Sequence, residues 1–220
     1  MRRAQSLNPD WSLSNQALDR FLSFCNRSER HKNAVLCRPG DQSGNLIYII
    51  EGTVSVVVKE DDDRELILGE FHSGEFVGEI GVFIPTGPRG VFIRAKNTVK
   101  IAEISCEKLH RLMANDLRED AAVLLFAMAT QLSRRLLETR RKASGLALLD
   151  VETRIRRALW DLYHETPHDL EEGPAVRISR RELASRVGCS REVSGRVIKK
   201  LADRGWLTDR GKVLLLREKI

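Results

Sequence analysis

The chain has 220 residues, 42% hydrophobic and 31% charged, a balance that suits a packed core and excludes a disordered or low-complexity chain. No run of about 18 apolar residues is present, which excludes a membrane-spanning helix, and Met1-Arg2-Arg3-Ala4 lacks the apolar stretch of a signal peptide, so a cytoplasmic protein is expected. Formal net charge is +6, and its placement says more than its size: 13 basic against 5 acidic residues stand from Arg177 onward, and 24 against 26 before it.

One basic module on a near-neutral body points to a polyanion as that module's partner. Cys25, Cys37, Cys106 and Cys189 are scattered, with no C-x-x-C pair, and are expected as free thiols. The five histidines are dispersed, and Pro167 interrupts the one i,i+4 pair, His164/His168. No metal site is expected.

In chain order, Leu18, Phe21, Leu22 and Cys25 recur at helical spacing and predict a helix over 13–25. Residues 34–105 change character. Short β-rich runs (46–50, 53–58, 65–69, 91–95 and 99–104) alternate with turns, predicting a sandwich or barrel-like roll, with the acidic run 60–63 as a solvated hairpin tip. Residues 108–113 predict a short helix and 119–144 a long one, about 39 Å if fully helical. Along it Leu125, Met128, Leu132, Leu136 and Thr139 form a narrow heptad-like stripe, read as a homodimer seam over 118–144. Gly145 and Asp150 read as a hinge or helix break, 151–164 as a further helix, 167–174 as a loop and 175–178 as a strand.

The chemistry lies near the end. Ser179 reads as the cap of one helix, with Glu182 completing a capping box. Ala184 and, four residues on, Gly188 fit a helix-turn-helix, one letting the helices approach and the other permitting a left-handed turn. Ser190 opens a second helix, with Val193, Val197, Ile198 and Leu201 expected inward and Arg191, Glu192, Arg196 and Lys199 outward. Arginine offers a bidentate fork to guanine and glutamate accepts from cytosine, so Arg191, Glu192 and Arg196 are the base-reading candidates. Arg180, Ser190, Lys199, Lys200, Arg210 and Lys212 suit phosphates. Asp209-Arg210-Gly211-Lys212 between two apolar runs reads as the basic tip of a hairpin wing. Double-stranded DNA is therefore the expected partner.

These stretches carry a resemblance. Ser73-Gly74-Glu75-Phe76-Val77-Gly78-Glu79-Ile80-Gly81-Val82-Phe83, Ala102-Glu103-Ile104-Ser105, Leu146-Ala147-Leu148-Leu149-Asp150-Val151 and Val187-Gly188-Cys189-Ser190-Arg191-Glu192 resemble the Crp/Fnr family, specifically its catabolite activator (cAMP receptor) protein branch, from Phe21 to about Val213. The resemblance implies an α+β fold: an N-terminal cyclic-nucleotide-binding β-roll (1–117), a long dimerisation helix with its hinge (118–149) and a C-terminal winged helix-turn-helix (150–220). It implies a homodimer on a palindrome of TGTGA-like half-sites. Two positions of the reading helix depart from the pattern: Val193 stands where the type protein has threonine, and Ser194 where the family often has a small or apolar packing residue.

For an effector, the resemblance implies Gly78, Glu79 and Arg89 around phosphate and ribose, with Arg135 and Thr139 from the long helix. Gly90 and Arg140 replace two serines that help to seat an adenine-type cyclic mononucleotide. Arg140 adds a fork suited to guanine or a second phosphate. These departures, with Glu60–Leu66 and Thr139–Ser144, resemble the CAP-like regulators of xanthomonads that respond to cyclic di-GMP. Cyclic di-GMP is the favoured allosteric effector, with cAMP and an effector-free protein as alternatives, and no other cofactor is expected. RNA polymerase is a further partner the family implies; Lys108 is retained, while Asn26, Ser28 and the loop Tyr163–Pro174 differ from the type protein's contacts.

Two other classes fit less well. A cupin-type enzyme needs clustered histidines on neighbouring strands, and the strand region holds only His72. An architectural protein binding any DNA leaves Glu192 unexplained, since a groove-facing carboxylate repels phosphate unless it reads a base. No enzymatic activity is expected.

Overall fold

The computed structural model describes residues 14–42, 44–59, 65–84, 87–165, 167–170 and 172–217. The acidic run at 60–63 lies outside them. The chain divides into two compact units: the residues up to Val56 with Gly69–Glu138, and Val57–Leu68 with Thr139 onward.

The first unit begins with helix α1 (Asn15–Ser23), capped by Ser14, whose hydroxyl accepts from the Ala17 N–H. Strands β1 (Asn26–Arg30), β2 (Val35–Cys37), β3 (Asn45–Glu51), β4 (Thr53–Lys59), β5 (Glu65–His72) and β6 (Phe76–Val77) follow, then the short helix α2 (Ile80–Phe83) and strands β7 (Phe92–Ala95) and β8 (Val99–Ser105). They form two four-stranded sheets, ordered β1-β8-β3-β6 and β2-β7-β4-β5. The run Leu46-Ile47-Tyr48-Ile49 is continuously apolar because β3 is covered on both faces: Leu46 and Tyr48 join one core, Ile47 and Ile49 the other. Phe76 and Val77 divide in the same way. Phe21, Tyr48 and Phe76 form an aromatic trio, with Tyr48 and Phe76 centroids 5.1 Å apart.

Helix α3 (Cys106–Ala114) and the 28-residue α4 (Ala121–Leu148) follow. Two expectations need correction here. Helix α4 does not break at Gly145: the Leu149 N–H still donates to the Gly145 carbonyl, and the helix ends only at Leu148. A single glycine costs about 1 kcal/mol in a helix, less than the surrounding turns recover. Nor is the stripe one seam. Met128, with Leu124, is fully buried in the core of its own unit, whereas Thr139 is exposed. Within 125–139 the large apolar side chains left in solvent are Phe126, Leu136 and Leu137, with Leu136 63% exposed. Residues 125–139 thus present two neighbouring faces that a one-dimensional heptad reading merges.

In the second unit, α5 (Val151–Glu165) is followed by β9 (Asp169–Leu170), β10 (Gly173–Arg177), α6 (Arg180–Val187), α7 (Arg191–Asp203), β11 (Leu207–Arg210) and β12 (Val213–Leu216). The strands form one sheet, β11-β12-β10-β9. The segment expected as a loop therefore contributes β9, paired to β10 through Leu170 and Gly173. Ile155, Leu159 and Trp160 of α5 share one core with Leu183, Ile198, Leu201, Trp206 and Leu214.

Candidate nucleic-acid interface and effector pocket

The reading helix is built from its caps. Ser179 Oγ accepts from the Glu182 N–H at 3.1 Å, starting α6. That helix ends at Gly188, where φ is 68°, and a Cβ there would lie 3.0 Å from Leu146 Cδ2. Left-handed backbone at this turn favours glycine. Ser190 Oγ accepts from the Val193 N–H at 3.2 Å and starts α7. Ala184 is buried, consistent with close approach of the two helices.

On α7 the fully buried row is Ser194, Ile198 and Leu201; Val197 is half-buried and packs against the same core, as expected, whereas Val193 is half-buried and is not among the side chains packed on that core, which corrects its expected inward placement. Burial of Ser194 leaves its hydroxyl without a hydrogen-bond partner among the described residues. Arg191, Glu192, Arg196 and Lys199 are all exposed, as expected. None of the four has a side-chain partner among the described residues, so each is available to a ligand.

The phosphate candidates divide. Lys199 and Lys212 are exposed, with ammonium groups that meet no partner among the described residues. Arg180 pairs with Asp209 and donates to the Gly211 carbonyl at 3.0 Å. Arg210 donates twice to Glu172, at 2.8 and 2.6 Å. Lys200 and Arg204 both reach Glu152 on α5, at 2.8 and 3.0 Å, and the hydrogen bond from Lys200 holds that carboxyl below its usual range. Ser190 Oγ is spent on its own cap. The acids Glu152, Glu172 and Asp209, which hold Lys200, Arg204, Arg210 and Arg180, carry no role in the sequence-based expectations. The signal available was only a cluster of acids near a basic face, and pairing depends on the fold.

In the first unit the effector candidates gather around Gly78. Its φ is 90°, and a Cβ would lie 2.6 Å from the Asn45 carbonyl oxygen and 2.9 Å from Arg89 Nη2. Arg89 Nη2 donates to that same carbonyl at 2.6 Å. The Arg89 backbone is fixed as well, donating to the Asp41 carbonyl and accepting from the Gly40 N–H. Glu79, only 5% exposed, stands at the start of α2. Burial pushes its carboxyl up, and its own N–H and the Arg135 and Arg89 charges pull back less. Gly90 is exposed, with open space where a Cβ would stand.

Arg135 lies under the Phe71 ring, 4.0 Å from its centroid. It donates to Glu75 at 2.9 Å, to Glu138 at 3.1 Å and to the Glu70 carbonyl. One turn earlier, the Gln131 carboxamide accepts from the Phe76 N–H at 2.8 Å and donates to the Phe76 carbonyl at 2.6 Å. Thus Gly78, Glu79 and Arg89 come together, while Arg135 acts on Glu79 through its field rather than by contact. Thr139 and Arg140 fall in the second unit, both exposed on α4.

Gly78 and Gly188 each fall within a region that matches a known domain family. The cyclic nucleotide-binding domain family matches residues 28–116, and the Crp-like helix-turn-helix domain family matches 153–219. The CRP-like protein Clp of Xanthomonas oryzae pv. oryzae is 47% identical over 214 residues, covering 96% of this chain and 93% of that protein. The chain belongs to the Crp/Fnr family. The solved structure of the c-di-GMP responsive global regulator CLP of Xanthomonas campestris superposes with a TM-score of 0.89 at 47% identity, covering 94% of this chain and all of that one. A CRP/FNR-family transcriptional regulator from Thermus thermophilus, at 24% identity and a TM-score of 0.69, shares the fold over 88% of this chain and 94% of its own. This Crp/Fnr member is accordingly a transcription regulator with a cyclic nucleotide-binding domain and a DNA-binding helix-turn-helix. Among the described residues no helix is long and apolar enough to cross a membrane.

Proposed function

We propose that this regulator is a homodimer that binds a palindrome of TGTGA-like half-sites and is gated by cyclic di-GMP. The observation carrying the DNA reading is the set Arg191, Glu192 and Arg196: exposed, unpaired among the described residues, and presented by the first turns of a helix whose other face is locked into a core. Two donor forks and one acceptor discriminate guanine and cytosine, and a carboxylate among them is costly unless a base amine meets it. Lys199 and Lys212 supply phosphate contacts directly. Arg180 and Arg210 do so after exchanging a carboxylate for a phosphate.

Support for a dimer comes from Phe126, Leu136 and Leu137, large apolar side chains exposed along α4. A second α4 covering them removes that surface from water. For the effector, the Gly78 cradle with Arg89 and Arg135 suits phosphate, and Glu79 suits a ribose hydroxyl. Gly90 and Arg140 weigh toward the dinucleotide, as does the cyclic di-GMP response of the Xanthomonas campestris relative. A cAMP-gated regulator is the second reading, favoured by retention of Glu79 and Arg89. Gating requires the effector to bind two states of the protein with different affinity.

Titrating the purified, nucleotide-stripped protein by calorimetry with each nucleotide separately tests the effector. Heat with cyclic di-GMP and none with cAMP is expected. Heat with cAMP alone establishes the second reading, and silence with both removes the effector from the proposal.

A further inference from the structure

On α7 an open groove is lined by Val193, Arg196, Val197 and Lys200. These positions are i, i+3, i+4 and i+7, one ridge along the helix. The core uses a different row, Ser194, Ile198 and Leu201. Val197 packs against that core while staying partly exposed, and Val193 is left partly in water beside the outward row that carries Glu192 and Arg196. Val193 lies in the first turn, immediately after Glu192, at the end of the helix that enters a major groove.

A polyanion surface offers little for a valine to meet. In the major groove the apolar group a base pair presents is the C5-methyl of thymine. The groove's rim carries Arg196, which meets no partner among the described residues, beside Lys200, which is paired with Glu152, so the duplex that Arg196 attracts brings base edges to the valines. Arginine and glutamate read guanine and cytosine, leaving A·T pairs without a reader on this helix.

We infer that Val193, backed by Val197, reads the C5-methyl of a thymine adjacent to the bases read by Arg191, Glu192 and Arg196. This rests on the DNA-reading function proposed above. Val193 is then a specificity-determining residue, and its contribution is apolar contact, without a hydrogen bond.

The test is equilibrium binding of the full-length protein, at one fixed salt concentration, to a duplex with two TGTGA half-sites. Each thymine is replaced in turn by deoxyuridine, which deletes only the methyl and keeps every hydrogen bond. One position per half-site is expected to lose about fourfold in affinity, the worth of one buried methyl. In Val193→Ala that position becomes indifferent to the methyl, while dependence on guanine is retained. Val193→Thr, which keeps one methyl and the shape, is expected to retain a reduced difference and serves if the alanine variant does not fold. Wild-type indifference to deoxyuridine at every position overturns the proposal, as does a methyl dependence undiminished in both variants. Failure of the wild type to prefer the TGTGA duplex over a scrambled one overturns the DNA-reading function itself and is seen before any thymine is changed.

Discussion

Gln131 and Phe76 form a closed pair: the carboxamide of one both accepts from and donates to the backbone of the other, at 2.8 and 2.6 Å. Phe76 lies two residues before the Gly78 turn, so α4 grips the strand that leads into the candidate effector cassette. Both residues are buried, which excludes water as a substitute partner. Gln131→Ala orphans a buried N–H and a buried carbonyl and is expected to destabilise the first unit by about 2–4 kcal/mol. Urea unfolding followed by circular dichroism measures this. A change under about 0.5 kcal/mol means that the pair closes no structural link.

Burial of Glu79 makes an opposite demand. Its carboxyl is raised above the ordinary 4.5, so the folded state holds the proton more tightly than the unfolded chain does. The stability this group contributes is fully present below the ordinary value and is lost as pH climbs through the raised one. Glu79→Gln is expected to flatten that part of the profile and to stabilise the apo protein at neutral pH, while weakening nucleotide binding. Denaturation midpoints measured from about pH 4 to about pH 8 decide it. An unchanged slope in the variant contradicts the assignment.

Ser194 is fully buried in the reading module and its hydroxyl bonds to nothing among the described residues. Ser194→Ala removes an unsatisfied polar group at small cost in packing, and a gain of about 1 kcal/mol is expected. The change is seen as a higher unfolding midpoint at unaltered DNA affinity. A loss of DNA affinity instead assigns the hydroxyl to the interface.

The wing holds Arg210 with a double hydrogen bond to the Glu172 carboxylate, while the backbone carbonyl of Glu172 accepts from Arg217. A carboxylate on an arginine proposed to bind phosphate competes with DNA. Glu172→Gln is expected to tighten DNA binding and to steepen the salt dependence, the slope of log K against log salt growing by about one. Both are read from one series of binding curves at increasing salt. Weaker binding in the variant shows that Glu172 orients Arg210 and does not sequester it.

Most of the fold was legible because its signals are local. Ser179 and Ser190 cap the helices they precede, and each leaves a signature of a few residues. The apolar runs of β3 and β8 carry their own length. What the sequence hid is the identity of the partner on the other side. Leu124 and Met128 are buried by the unit's own core, whereas Leu136 is left exposed, and spacing alone cannot distinguish the two. The same limit applies to charge. Arg191, Arg196 and Lys199 stand free among the described residues while Arg180 and Arg210 are held, although composition gives all five the same weight. Gly145 was legible only as a propensity, which the continuing helix overrides.

Base reading by α7 through Arg191, Glu192 and Arg196 is tested most directly by Glu192→Ala. Binding of wild type and variant is compared, at one salt concentration, on a TGTGA palindrome, on the same palindrome with the G·C pair at the fourth position of each half-site replaced, and on random duplex. The variant is expected to lose the discrimination against the replaced pair, about 1–3 kcal/mol per half-site, with random-duplex affinity nearly unchanged. An equal loss on all three duplexes contradicts base reading by this helix.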